Sequence, residues 1–87
     1  MDARARVARN VRRLRVAAGL SQEAFAVDAG LDRTYISRIE RNLENPTVSA
    51  LEKIAKALGA DIVDLVTSLP EARGPTPTLR PGRKASK

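Results

Sequence analysis

The chain has 87 residues, neither cysteine nor histidine, and 16 Lys plus Arg against 10 Asp plus Glu, for a net charge of +6. That length allows one small domain with a marginal core, and the missing residue types exclude a disulfide framework, a thiolate zinc site and any nucleophile paired with histidine, so neither catalysis nor a metal or other cofactor is expected. The basic excess points to a polyanion, and the lack of an apolar run of membrane-span length or a signal-peptide core points to a cytoplasmic protein with no membrane partner.

Five helices are predicted. Val7, Val11, Leu14 and Ala18 recur at helical spacing, so a first helix over about residues 2–18 ends at Gly19. It carries Arg4, Arg6, Arg9, Arg12, Arg13 and Arg15, for which a solvated face is the plain reading and phosphate contact the sharper one. Ser21 is a strong N-cap for a second helix, and Glu23 sits where a carboxylate favours the positive end of the dipole. Phe25, Ala26 and Ala29 give that helix an apolar face, and Gly30 stands where a left-handed residue stops a helix. Only Leu31 separates Gly30 from Asp32, another N-cap, so the third helix leaves at a steep angle and residues 21–41 read as a helix-turn-helix.

On the third helix, about residues 33–41, Ile36, Ile39 and Glu40 share the inward face. Thr34, Ser37, Arg38 and Arg41 point away, and Arg33 occupies the first turn, the end that a recognition helix pushes toward the bases. Pro46 breaks the following loop, Thr47 caps a fourth helix, and Val48, Leu51, Ile54, Ala55 and Leu58 form its expected buried stripe before Gly59. Asp61 caps a short fifth helix over about 61–69, with Ile62, Leu65, Val66 and Leu69 on one side. No strand signal competes, so the fold class is all-α. Residues 1–69 form the domain, with a net charge of +2. Residues 70–87 carry net +4, from Arg73, Arg80, Arg83, Lys84 and Lys87 against Glu71, and hold four prolines, two glycines and Leu79 as the one sizeable apolar residue. Such a segment cannot offset its ordering entropy and reads as a disordered basic tail, either a solubilising extension or a non-specific arm for DNA or a partner.

From about Val7 to Leu65 the chain resembles the Cro and phage-repressor type of helix-turn-helix domain, the XRE family. The resemblance is carried by Arg15 to Gly19, Leu20-Ser21-Gln22, Gly30, Ile36-Ser37, Glu40, Pro46 and Leu51-Ile54-Ala55-Leu58-Gly59, in order and at the family's spacing. Asp32-Arg33-Thr34-Tyr35-Ile36-Ser37 followed by Ile39-Glu40-Arg41-Asn42 is similar to the controller proteins of restriction-modification systems. One departure is Asn42, where the family usually has glycine; asparagine is the next most tolerant residue for a left-handed turn. The resemblance implies a five-helix lambda-repressor-like fold, a phosphate contact from Gln22, and a structural ion pair between Arg15 and Glu40, a pairing their positions beside two inward faces also make plausible. For Tyr35 it implies reach to a base or sugar, against the plainer reading of a partly buried ring.

The expected function is sequence-specific binding of double-stranded DNA as a transcription regulator. Base edges would be read by Arg33, Thr34, Tyr35, Ser37 and Arg38, and phosphates held by Ser21, Gln22, Arg41 and Asn42. One small domain reads few base pairs, so a homodimer on a palindrome is expected, with Ile62, Leu65, Val66 and Leu69 as the candidate seam; completing the monomer core is an equal reading for Ile62 and Leu65. An antitoxin that also neutralises a toxin protein is the alternative, and RNA polymerase is a further candidate partner. An enzyme would need carboxylates and a metal; Asp61 with Asp64 is the one close acidic pair of the domain, and helix capping explains it more simply.

Overall fold

Asp2 opens α1 (Ala3–Ala17): its carboxylate accepts from the Ala5 amide at 2.8 Å, satisfying one of the four N–H groups that a helix start leaves without partners. Ser21, Asp32 and Thr47 serve α2 (Gln22–Ala29), α3 (Arg33–Glu40) and α4 (Val48–Ala57) in the same way, and Asp61 serves α5 (Ile62–Val66). At α5 the device is reciprocal. Asp61 accepts from the Val63 amide at 3.0 Å, and Asp64 accepts from the Asp61 amide at 2.9 Å. The close acidic pair is therefore a capping box.

The structure, a computed structural model, describes residues 2–68. Leu69 and the expected tail over 70–87 lie outside the described residues, which are helix and turn with no strand among them.

Four helices end by one rule. After α1, α2, α3 and α4 comes a residue at positive φ, namely Gly19, Gly30, Asn42 and Gly59. The amide of the next residue then reaches back to the helix: Leu20 to the Arg15 carbonyl, Leu31 to Ala26, Leu43 to Arg38 and Ala60 to Ala55, at 2.8–3.1 Å. These bonds satisfy carbonyls that the helix itself cannot and place an apolar residue after each stop. Asn42, at φ 60, carries out this turn without glycine.

Packing closes a ring. α1 lies on α3 and α5, α3 on α2, α2 on α4, and α4 on α5, around one core. That core takes Val7 and Val11 from α1, Phe25 and Ala26 from α2, Ile36 and Ile39 from α3, Ile54 and Ala55 from α4, and Leu65 from α5. Phe25, Ile36, Ile54 and Leu65 have no exposed surface, and burying each such side chain contributes about 1.5–3 kcal/mol before entropy is counted.

One expectation is corrected here and one open alternative is decided. Val48 is not part of the α4 stripe: it is 70% exposed, while Ala50 is buried beside Ile54 and Ala55. At about 100° per residue the buried arc turns away from Val48, which opens the helix at the arc's edge. Leu65 is no surface residue, because its complete burial seats it in the core of the single chain. Its neighbour Val63 faces outward at 61% exposure, with Ile62 and Val66 half-buried against the core.

One buried polar residue, Asn10, ties the ring shut. Its side-chain amide donates to the carbonyls of Leu65 and Thr67, both at 2.9 Å, and the Arg6 guanidinium donates to the Val66 carbonyl at 3.3 Å. A helix of five residues has almost no internal partner for its carbonyls, so α1 supplies them.

Candidate nucleic-acid interface

α3 is divided by side. Ile36 and Ile39 are buried, whereas Arg33, Thr34, Arg38 and Arg41 are exposed. Ser37 is half-buried, and so is Tyr35, whose ring packs against the core. Asp32 caps the start of this helix by accepting from the Thr34 amide at 2.8 Å. Its outer face carries three guanidinium groups, and its own carboxylate, Glu40, is turned inward.

Glu40 is the hub that sets α3 against its neighbours. Arg15 of α1 meets it with two bonds, Nε to Oε2 at 2.7 Å and Nη2 to Oε1 at 3.0 Å, the bidentate form that fixes direction as well as distance. The third nitrogen, Nη1, donates to the Leu20 carbonyl at 2.7 Å in the turn between α1 and α2. Gln22, the first residue of α2, donates its side-chain amide to Glu40 Oε1 at 3.1 Å. The Arg15 and Glu40 side chains are 12% and 3% exposed. At such burial, charges are tolerated when they are paired and hydrogen-bonded, and here the carboxylate accepts three bonds while each guanidinium nitrogen donates one. One cluster thus joins α1, the start of α2 and the end of α3, and it orients the Gln22 amide at the mouth of the helix-turn-helix.

Ser21 accepts from the Ala24 amide at 3.0 Å, which leaves its hydroxyl proton for an outside acceptor. At the far end of α3, Arg41 is exposed, and the Asn42 side chain accepts from Arg4 Nε at 3.1 Å. The start of α1 is therefore tied to the end of α3. Arg38 points outward, as its place on the helix implies, and it is also held along the surface. Its guanidinium turns along the loop after α3, donating from Nε to Glu44 Oε1 and from Nη2 to the Leu43 carbonyl, both at 2.9 Å.

Leu43, Glu44 and, behind the site, Asn10 were not singled out from sequence, and Arg4 was read there only as part of the basic face of the first helix, not as a partner of Asn42. Asn10 did leave a signal, since it interrupts an apolar arc at i+3 from Val7 and i−4 from Leu14. The others lie across a left-handed turn or 38 residues away, where helical periodicity has no reach.

Comparison with known proteins agrees with this geometry. A helix-turn-helix family model matches residues 11–65. The uncharacterized HTH-type transcriptional regulator y4dJ of Sinorhizobium fredii is 44% identical over 71 residues, spanning 82% of this chain and 92% of that protein. Among solved structures, a hypothetical transcription factor from Neisseria superposes with a TM-score of 0.76 at 46% identity, covering 83% of this chain and 82% of that one. The restriction-modification controller protein C.AhdI from Aeromonas hydrophila superposes with a TM-score of 0.69 at 37% identity, covering 71% and 94%.

Proposed function

This chain belongs to the helix-turn-helix family and is a DNA-binding transcriptional regulator, and from that premise we propose that it binds a palindromic operator as a homodimer, with α3 in the major groove. The observation that carries the reading is the sidedness of α3: Ile36 and Ile39 are buried while Arg33, Thr34, Arg38 and Arg41 are exposed on a helix braced by Arg15, Glu40 and Gln22. In this reading Arg33, Thr34 and Arg38, with Tyr35 and Ser37 at the edge of the contact, meet base edges. Ser21, Gln22, Arg41 and Asn42 hold phosphates and so fix the register.

The dimer seam we propose is the outward side of α5, formed by Ile62, Val63 and Val66. The relatives reported above carry the names of a regulator, a hypothetical transcription factor and a controller protein, which favours regulation of transcription over the antitoxin alternative. Selection of bound duplexes from a random pool tests it. The expected result is an enriched site with two-fold symmetry and half-sites about one helical turn apart. Recovery of asymmetric or unrelated sequences would overturn the dimer on a palindrome.

A further inference from the structure

Arg38 is held by the chain's own loop. Two of its five N–H donors are occupied, by Glu44 Oε1 and by the Leu43 carbonyl, and the Leu43 amide in turn donates to the Arg38 carbonyl at 2.8 Å. The Arg38 side chain is thus closed onto two loop residues and its backbone onto one of them, Leu43, around the left-handed turn at Asn42. Arg33 and Arg41, on the same helix, have no such partner among the described residues.

A guanidinium is planar, so contacts from Nε and Nη2 fix the whole fork. The remaining donors, both on Nη1 and one on Nη2, form the end-on edge that can donate in parallel to two acceptors such as O6 and N7 of guanine. Glu44 lies close enough to offset the charge of Arg38, which lowers its pull toward the nearest phosphate without touching its hydrogen-bonding edge. The side chains are 45% and 31% exposed, so the pair orients rather than stabilises, since exposed ion pairs add little to folding.

We propose that Glu44 is a positioning residue that determines specificity: with the Leu43 carbonyl it presents Arg38 to one base pair and keeps it from wandering to phosphates. This rests on the reading of α3 as the groove-bound helix. A mobile arginine there would add to binding of any duplex, whereas a held one adds mainly to the matching site.

The test uses the full chain and the duplex it selects from a random pool. First, the base pair at which Arg38→Ala loses its preference is located; the preference at that pair is then measured for Glu44→Ala, Glu44→Gln and Arg38→Ala/Glu44→Ala. The expected results are a preference reduced at least about twofold by Glu44→Ala, partial retention by Glu44→Gln, which keeps an acceptor, and no further loss in the double variant. Affinity of Glu44→Ala for random duplex should rise, and its melting temperature should stay near that of the parent.

A preference at that pair unaffected by Glu44→Ala, or eroded equally at every position, would overturn the proposal while leaving DNA recognition by α3 intact. So would an Arg38→Ala variant that keeps its preference everywhere, because Glu44 would then have no reader to position. If the parent protein enriches no site at all, the groove reading itself falls.

Discussion

Arg33 and Gln22 stand at opposite ends of the difference between reading and holding. Arg33 lies in the first turn of α3, fully outward, with no internal role to lose. Arg33→Ala should therefore cost about 1–3 kcal/mol on the selected duplex and much less on random duplex, as a competition titration would show. Equal losses on both would move Arg33 to the phosphate class. If Gln22, whose amide Glu40 orients, holds a phosphate as proposed, Gln22→Ala should weaken binding similarly on the two. Behind it, Glu40→Ala would strand the Arg15 guanidinium at 12% exposure and should lower stability by on the order of 3 kcal/mol in chemical denaturation. Replacing both, as in Arg15→Met with Glu40→Leu, should recover part of that loss. Recovery stays incomplete because the Leu20 carbonyl loses its donor as well. Strict additivity of the two single changes would show that they are not coupled.

At the scale of elements, helix ends were legible and helix surroundings were not. Ser21, Asp32, Thr47 and Asp61 act through bonds to amides two or three residues away, so local sequence suffices to place them, whereas Asp2, which the periodicity puts inside the first helix, is its cap. The stops are equally local, including the one at Asn42. That stop makes its own prediction: Asn42→Gly should keep the stability of the protein, whereas Asn42→Val, a branched residue forced to φ 60, should cost about 1–3 kcal/mol in thermal unfolding. A valine variant as stable as the parent would show that the turn can relax. Burial was read less well, because periodicity names a face without naming what covers it. Val48 lies at the edge of an arc that turns toward Ala50, and Leu65 completes a core that only the closed ring of helices defines. Asn10 interrupts an apolar stripe, and its partners, the carbonyls of Leu65 and Thr67, lie 55 and 57 residues away, beyond what periodicity can name. For the site, the helical wheel separated outward from inward side chains on α3. The links from Arg38 to Glu44 and from Gln22 to Glu40 needed the turns that bring them within bonding distance.

For the whole molecule, assembly and charge can be separated. Val63→Asp places a charge on the outward side of α5 and should leave a folded monomer, while Leu65→Asp puts one where there is no exposed surface and should unfold the chain. Sedimentation beside circular dichroism distinguishes them, and a Val63→Asp protein that stays dimeric would show that the seam lies elsewhere. Charge is weighted toward the C-terminal end of the sequence: residues 70–87 hold net +4 of the chain's +6. Each phosphate that a cation neutralises steepens the dependence of log affinity on log salt by about 0.9, whatever base lies beneath it. Cutting the chain after Leu69 should therefore flatten the salt dependence and lower affinity most at low salt, while the preferred site stays the same, because Arg33, Thr34 and Arg38 remain on a helix whose braces lie within residues 15–44. The measurement is duplex binding by the full and shortened chains over a range of salt concentrations, on the selected site and on random sequence. An unchanged slope would mean that the terminal cations never reach DNA. A changed site preference would mean that they read bases, against the assignment of sequence reading to α3.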